Sequence, residues 1–533
     1  MTRGRVVRAV LLIGAIAVVL AASRYRAFDL DRFFVPKELA LHAAALAVAM
    51  ASLWHARQLA VTRVDLMLAA YLGLSTLSAL LATNHWLGAR ALAITLSSAV
   101  AFWAARTAAA EGLGRPIVAA GAIAAVLGAA TALAQAYGVT TDLFSLNRAP
   151  GGTFGNRNFM AHLAALGTPA LVFTVITTRR GWGAALGAVG MAVIAAGLVL
   201  SRTRAAWLGL GAGAALLVIG LWRAHRRWSD PRSARRMQML ALAAVVGVLA
   251  AVALPNTLEW RSDSPYLDTV TGVVNYREGS GRGRVVQYAM TLRIAAAHPL
   301  LGVGAGNWAV AYPRVAAPND PSLDLDDGMT SNPWPSSDWV AIAAERGVPA
   351  LIAIWLALVG LAMGAWRRAD RASSAAEYLE GLALATTLVV TVIVGAFDAV
   401  LLLPAPALVA WSLFGALAAP SPVRWNLALS EHGRRRTLMA VGVVGGVIVL
   451  RSGMQLAAMA VYGDAGTLSQ VEAAQQLDPG SYPIQMRLAL FEQERGNCDG
   501  VRDAAGAARA LFPNAPEPRR LLRACGARDR PRR

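Results

Sequence analysis

Charge is scarce in this chain of 533 residues: 15% are Asp, Glu, Lys or Arg, against about 25% in ordinary globular domains. Cysteine is nearly absent, with two residues, and Lys37 is the only lysine among 50 basic residues. The shortage of charge excludes an ordinary soluble protein, and a hydrophobic content of 56% excludes a disordered one. Two cysteines exclude a secreted disulfide scaffold. Fifty basic against 31 acidic residues give a formal charge of +19. The arginines, however, lie between apolar runs, where they act as orientation signals, so no nucleic-acid partner is expected. What the chain has in plenty is apolar sequence. Runs such as 237–254 and 437–459 match the ~20 residues that cross a bilayer core as helix. The expected fold is an all-α polytopic membrane protein.

Thirteen runs qualify: 7–22, 38–54, 64–82, 86–105, 116–137, 159–176, 182–200, 205–222, 237–254, 337–366, 378–401, 404–418 and 437–459. They predict about 12–13 transmembrane helices. The first is not read as a cleaved signal peptide, because Arg24 and Arg26 follow it where a small-residue cleavage site belongs. With a cytoplasmic N-terminus, Arg57, Arg63, Arg106, Arg115, Arg179, Arg180, Arg223 to Arg236, Arg367, Arg368 and Arg434 to Arg436 all fall inside. The outer short loops hold far fewer, and the weakest point of the pattern is the first external loop, with Arg24, Arg26, Arg32 and Lys37.

The expected organisation is helices one to nine in residues 1–254, a large periplasmic loop domain in 255–336, helices ten to thirteen in 337–459, and a periplasmic helical tail in 460–533. The tail reads as short amphipathic helices separated by Gly, Pro and Asn, resembling tetratricopeptide hairpins. Such a module could cap the protein or dock a periplasmic protein partner. Both cysteines, Cys498 and Cys525, lie in it. They read either as a disulfide tying two helices, which suits an oxidising compartment, or as two small buried residues.

Polar groups at membrane edges are costly and mark function. On the expected outer face the richest cluster is arginine. Ser201-Arg-Thr-Arg204 fills a tight turn, Arg148 and Arg157 lie in the preceding outer loop, and Arg282 and Arg284 head an amphipathic stretch at 285–297. A guanidinium is always charged and presents a planar fork of donors, which suits phosphate. Positive charge in a short outer turn also contradicts the orientation rule and so needs a reason. Three acids in one loop, Asp324, Asp326 and Asp327, read as solvated rather than as a cation site. Gly302-Val-Gly-Ala-Gly306 has no preceding strand and is not a dinucleotide fingerprint. Asp65 and Asp398, near span ends, read as snorkelling or capping residues.

Five stretches together resemble the O-antigen ligase and polymerase family of bacterial envelope glycosyltransferases. They are Thr153-Phe-Gly-Asn-Arg-Asn-Phe159, Ser201-Arg202 with Ala205-Ala-Trp-Leu-Gly209, Gly283-Arg284, His298-Pro-Leu-Leu-Gly-Val-Gly-Ala-Gly-Asn-Trp308, and Glu345-Arg-Gly-Val-Pro349. The resemblance covers residues 153–361. It implies transfer of a glycan from undecaprenyl pyrophosphate to an acceptor hydroxyl on lipid, growing polysaccharide or protein, at the periplasmic face of the inner membrane, without cofactor or metal. Arg202 and Arg284 match the arginines that hold the donor pyrophosphate, with Arg157, Arg204 and Arg282 as supporting cations. Where the family carries a His-Asn pair, this chain has Ser336 and Ser337. The base toward the acceptor is therefore expected to be Asp338, then Glu345 or His298, unless His85 or His162 folds into the site. Rival expectations are a transporter or flippase of lipid-linked sugar, whose basic cavity guides rather than reacts, and an inactive scaffold of polysaccharide assembly.

Overall fold

The structure, a computed structural model, describes residues 3–54, 56–145, 148–260, 262–272, 277, 279–317, 319–324, 329–418 and 423–528. Asp326 and Asp327 lie outside them. Helices α1 (Arg3–Leu20), α2 (Asp31–Trp54), α3 (Arg63–Leu80), α4 (His85–Ala108) and α5 (Gly114–Ala136) are followed by α6 (Arg157–Thr177), α7 (Gly181–Ser201), α8 (Arg204–Trp228) and α9 (Pro231–Ala253). The intervening segment carries α10 (Pro265–Thr271), α11 (Gly279–Ala297) and α12 (Trp308–Ala311). Then come α13 (Asp338–Arg346), α14 (Val348–Asp370), α15 (Ala375–Phe397), α16 (Pro404–Ala418) and α17 (Glu431–Gly463). The tail consists of α18 (Leu468–Leu477), α19 (Tyr482–Glu494), α20 (Cys498–Leu511) and α21 (Pro516–Arg528).

All thirteen expected runs fold as helix, yet among the described residues ten helices are long and apolar enough to cross a membrane. The difference has local causes. Arg3, Arg5 and Arg8 leave the 18-residue α1 too charged, and α16 has only 15 residues. Helices α4 and α5 run into each other as a 52-residue unit broken at Gly112, where φ is +82°. Both arms pack against α1 and α16. The run expected at 337–366 is two helices, parted at Gly347 (φ +85°), where a Cβ would meet the Leu300 carbonyl oxygen at 2.1 Å.

Helix α6 is the hub, with 89% of its apolar window buried against 6% for the peripheral α17. It touches α5, α7, α8, α9, α15 and α16. Lipid tails are as apolar as Leu, so helices in a bilayer associate through close packing at small residues. Gly167 accordingly brings α6 onto Ala125, and Gly213 brings α8 onto Val390. Val443, Val447 and Leu450 of α17 remain exposed, as a lipid-facing surface requires.

Loops that alternation assigns to one side do meet at one end. There β1 (Gln58–Val61) pairs antiparallel with β2 (Trp425–Ala428), Gln58 opposite Ala428. Asp65 closes a capping box with Thr62 at the start of α3 and also takes Arg106 at 2.7 Å. At the opposite end Arg26 meets Asp142 at 2.7 Å, and the Asn84 N–H donates to Asn307 Oδ1 at 2.7 Å. The 255–336 segment shares its core with α13: Ile294, Trp308 and Tyr312 pack with Ala343 and Ala344. The tail sits on this end too. Its helices pack in sequence around Met486, Val501, Ala505 and Leu521, and a disulfide joins Cys498 to Cys525. Asn84 Nδ2 donates to the Leu511 carbonyl at 3.3 Å, and Asn514 Nδ2 donates to that of Val310 at 2.9 Å.

Candidate functional site

Helix α7 ends at Ser201, and Arg202 then adopts a left-handed backbone, φ +54°. Arginine gains nothing intrinsic from that conformation, which is costly for a side chain with a Cβ and concentrates at functional sites. The turn places the guanidinium against α10 and Trp260. Its Nε donates to Thr269 Oγ1 at 2.8 Å, and its Cζ lies 4.9 Å from the Trp260 ring centre. Arg157, at the first turn of α6, approaches the same ring at 5.9 Å. Burial lowers the proton affinity of Arg202, with Arg204 adding repulsion and Asp268 opposing it. Arg204 itself donates to the Gly272 carbonyl at 2.6 Å and so holds the C-terminal end of α10.

A polar relay ties this turn to the end of α15. Thr203 Oγ1 donates to Asn158 Oδ1 at 3.1 Å, and Asn158 Nδ2 donates to Asp398 Oδ2 at 3.3 Å. The same Asp398 oxygen lies 3.8 Å from His162 Nε2. His162 is fully buried, and neither ring nitrogen has a hydrogen-bond partner. Arg284 of α11 lies within electrostatic reach of His162, and its buried Nε likewise has no partner. None of Arg157, Arg202 and Arg284 has a carboxylate within ion-pair distance among the described residues. Elsewhere Arg90 holds Asp31 and Glu38, Arg106 holds Asp65, and Arg368 holds Glu380. Partly buried cations with no carboxylate at ion-pair distance, beside a buried donor without a partner, suit an external anion.

The expected bases have other occupations. Asp338 is fully buried, and both its oxygens accept from the N–H groups of Val400 and Leu401 at 3.0–3.2 Å. It begins α13, ahead of the crossing helix α14, and burial pushes its carboxyl up to about 7 against the pull of those donors. It therefore pins the turn leading to α16 and lies within electrostatic reach of Asp398. Glu345 accepts from the N–H groups of Gly306 (3.0 Å) and Trp308 (3.2 Å), and burial raises it as well. Those bonds explain the glycine run. Gly302, Gly304 and Gly306 all have positive φ, and a Cβ on Gly302 would lie 2.2 Å from the Glu345 carbonyl carbon. His298 is exposed just past the far end of α11, about 20 Å along the helix from Arg284 at 1.5 Å per residue. Arg282 is exposed on α11.

Ser337 caps α13 by accepting from the Val340 N–H and donates to the Gly395 carbonyl at 3.1 Å. The Ser336 N–H donates to Gln287 Oε1 at 2.6 Å. The two serines thus fix the residues that lead into α13. The structure brings together Arg157, Arg202 and Arg284 from the expected set. It adds Trp260, Asn158, His162 and Asp398. Of these, His162 and Asp398 carry a sequence signal, being ionisable groups within or at the edge of apolar runs. Among the described residues no three His, Cys, Asp or Glu side chains gather as metal ligands.

Residues 189–355 match the family model described as O-antigen ligase. The match supports the O-antigen ligase family for this chain, and the ten long apolar helices suggest a membrane protein. It takes in Arg202, Arg204 and Arg284, whereas Arg157, His162 and Asp398 lie outside it. No curated protein matches the chain.

Proposed function

We propose that this chain, as a membrane protein of O-antigen ligase type, moves a glycan from undecaprenyl pyrophosphate to an acceptor hydroxyl at the periplasmic face of the inner membrane. The observation that supports this most is the group of arginines without carboxylate partners beside the orphaned Arg284 Nε and His162. In the proposed reaction Arg202 and Arg284, with Arg157, hold the pyrophosphate. Trp260 keeps the first and third of these in place by stacking. Asp398 accepts the proton of the acceptor hydroxyl. That oxygen forms the new bond to the anomeric carbon while the bond to phosphate breaks, with inversion. The leaving pyrophosphate takes the electron pair and is stabilised by the fixed cations, which need no reorganisation.

Asp398 is preferred to Asp338 because its Oδ2 faces Asn158 and His162, whereas the Asp338 oxygens are saturated by backbone donors. His162 behind it is a positioning residue. The arginines supply the positive charge at the leaving group, so the reading includes transfer without a metal. Purified protein, an undecaprenyl-pyrophosphate glycan and a chelator test it. Transfer in the wild type that is lost in both Arg284→Ala and Asp398→Asn supports the roles. Transfer that survives Asp398→Asn moves the base elsewhere. Donor binding without transfer to any acceptor favours a transporter or scaffold.

A further inference from the structure

A second concavity opens at the same end of the bundle and has a different chemistry. It encloses about 340 Å³, within the ~300–1,000 Å³ of small-molecule sites. Its walls are the first turns of α2 and α4, the start of α16, the 329–334 segment and the tail, which contributes Asp478, Ser481 and Tyr482. Aromatic faces line it: Phe34, Trp86, Trp334 and Tyr482. So do five carboxylates, Asp29, Asp31, Glu38, Glu345 and Asp478, against two cations, Arg90 and Arg346.

The cations are already held, Arg90 by Asp31 and Glu38, and Arg346 by Tyr71 and Ser75, so the donor pyrophosphate finds no fixed counter-charge here. The charges equally exclude a lipid tail, which offers them no hydrogen bonds. A sugar ring suits both parts of the lining. Its C–H face stacks on an aromatic ring, and its hydroxyls donate to carboxylates and accept from guanidinium groups. Arg90 binds Asp31 Oδ1 at 2.7 Å and Glu38 Oε2 at 2.8 Å, which leaves the second oxygen of each carboxylate open to a ligand. The cavity also reaches the reacting end. Trp334 lines it and packs edge-on to Phe34 at 5.0 Å and beside Phe159 at 6.0 Å. Phe159 neighbours His162 at 6.5 Å. Leu402 and Leu403, which follow Asp398 in the chain, line the cavity too.

We propose that this cavity is a saccharide-binding subsite for the acceptor, and that the C-terminal tail forms one of its walls and so selects the acceptor. The proposal rests on the glycan-transfer reading above. The tail enters because Ser481 and Tyr482 complete the enclosure, while Arg451 grips Asp478 and stacks over Trp86 at 4.6 Å.

The test is a printed array of diverse glycans probed with full-length protein in lipid nanodiscs, followed by titration of the best-bound glycan. Two variants guard against misfolding. Trp86→Ala removes an aromatic wall, and Ser481→Trp fills the space without removing a packing contact. The expected result is binding of one glycan class that weakens about tenfold or more in both variants and persists in Arg284→Ala. Absence of glycan binding by the wild type overturns the proposal, as does binding indifferent to both substitutions, or displacement by a lysine-rich peptide in place of sugar. Failure of the transfer reading is recognised separately, by undecaprenyl pyrophosphate binding that Arg284→Ala leaves intact.

Discussion

Arg90 holds Asp31 and Glu38 at 2.7 and 2.8 Å, whereas Arg202 and Arg284, at the same end of the bundle, have no carboxylate within ion-pair distance among the described residues. The two regions are both arginine-containing and partly buried, and they do opposite things with the charge. Around Arg90 the cation is neutralised internally, and in the adjoining cavity Asp31, Glu38 and Asp478 are paired. Around Arg202 and Arg284 the cation is left over. Selection for a stable fold alone would pair or remove such charges, because a partly buried ion with no close partner carries a desolvation cost that nothing in the fold offsets. Unneutralised arginines are thus the mark of a ligand that brings its own negative charge. A single membrane end can in this way present an anion to a neutral polyhydroxyl compound across one aromatic partition, made by Phe34, Phe159 and Trp334.

The comparison breaks first in activity. Arg284→Ala or Arg202→Ala is expected to lower transfer about 100- to 1,000-fold, the usual loss on removing one fixed donor to developing charge. The thermal midpoint should be unchanged or raised, since an uncompensated cation has gone. A large drop in stability alongside the activity loss would mean that these arginines hold the fold. Glu38→Ala should behave in the reverse sense. It leaves Arg90 with Asp31 as its one carboxylate partner and should cost about 1.5–3 kcal/mol, the loss of a charged hydrogen bond, read as a lowered unfolding midpoint in detergent, while undecaprenyl pyrophosphate binding stays as in the wild type.

Next in size is the tail. Replacing Cys498 and Cys525 by Ser opens the bond that closes a separation of 27 residues and should cost about 2–4 kcal/mol of tail stability. Hydrogen exchange would show faster exchange in α20 and α21, with α6 and α16 unaffected. Spread of the effect into the bundle would show the tail to be integral to the fold. The smallest effect concerns Asp338, whose carboxyl is raised from 3.8 to about 7. The folded state holds that proton more tightly than the unfolded chain does. Its contribution to stability is therefore complete below about 3.8 and is lost as pH rises through about 7. Infrared titration of wild type against Asp338→Asn should reveal one carboxyl band that disappears near pH 7 and is absent from the variant.

Much of this was legible in the sequence, and the rest failed for identifiable reasons. Apolar runs locate every membrane helix, because hydropathy is a local property. They overstate the count where a run is charged at its start, as in α1, or short, as in α16. Arg202 stood out because a cation in a short outer turn contradicts the orientation rule. Asp338 was legible as an acid near a helix start, but the direction of its carboxylate depends on a turn some 60 residues later in sequence, at Val400 and Leu401. Asp398 read as a cap because its partners, Asn158 and His162, belong to α6 and reach it only through tertiary packing. Trp260 gave no signal, since the Arg157 and Arg202 side chains meet over it from separate elements. The glycine run from Gly302 to Gly306 proved to be a strap shaped around Glu345, a role that only the φ angles and the close carbonyl disclose.

The measurement that tests the central claim most directly is equilibrium binding of undecaprenyl pyrophosphate to the wild type, Arg202→Ala, Arg284→Ala and Arg106→Ala in nanodiscs. Arg106 is the control, a partly buried arginine already paired with Asp65 at the opposite end. The account predicts affinity lost in the first two variants and kept in the third. Equal affinity in all four proteins would contradict it.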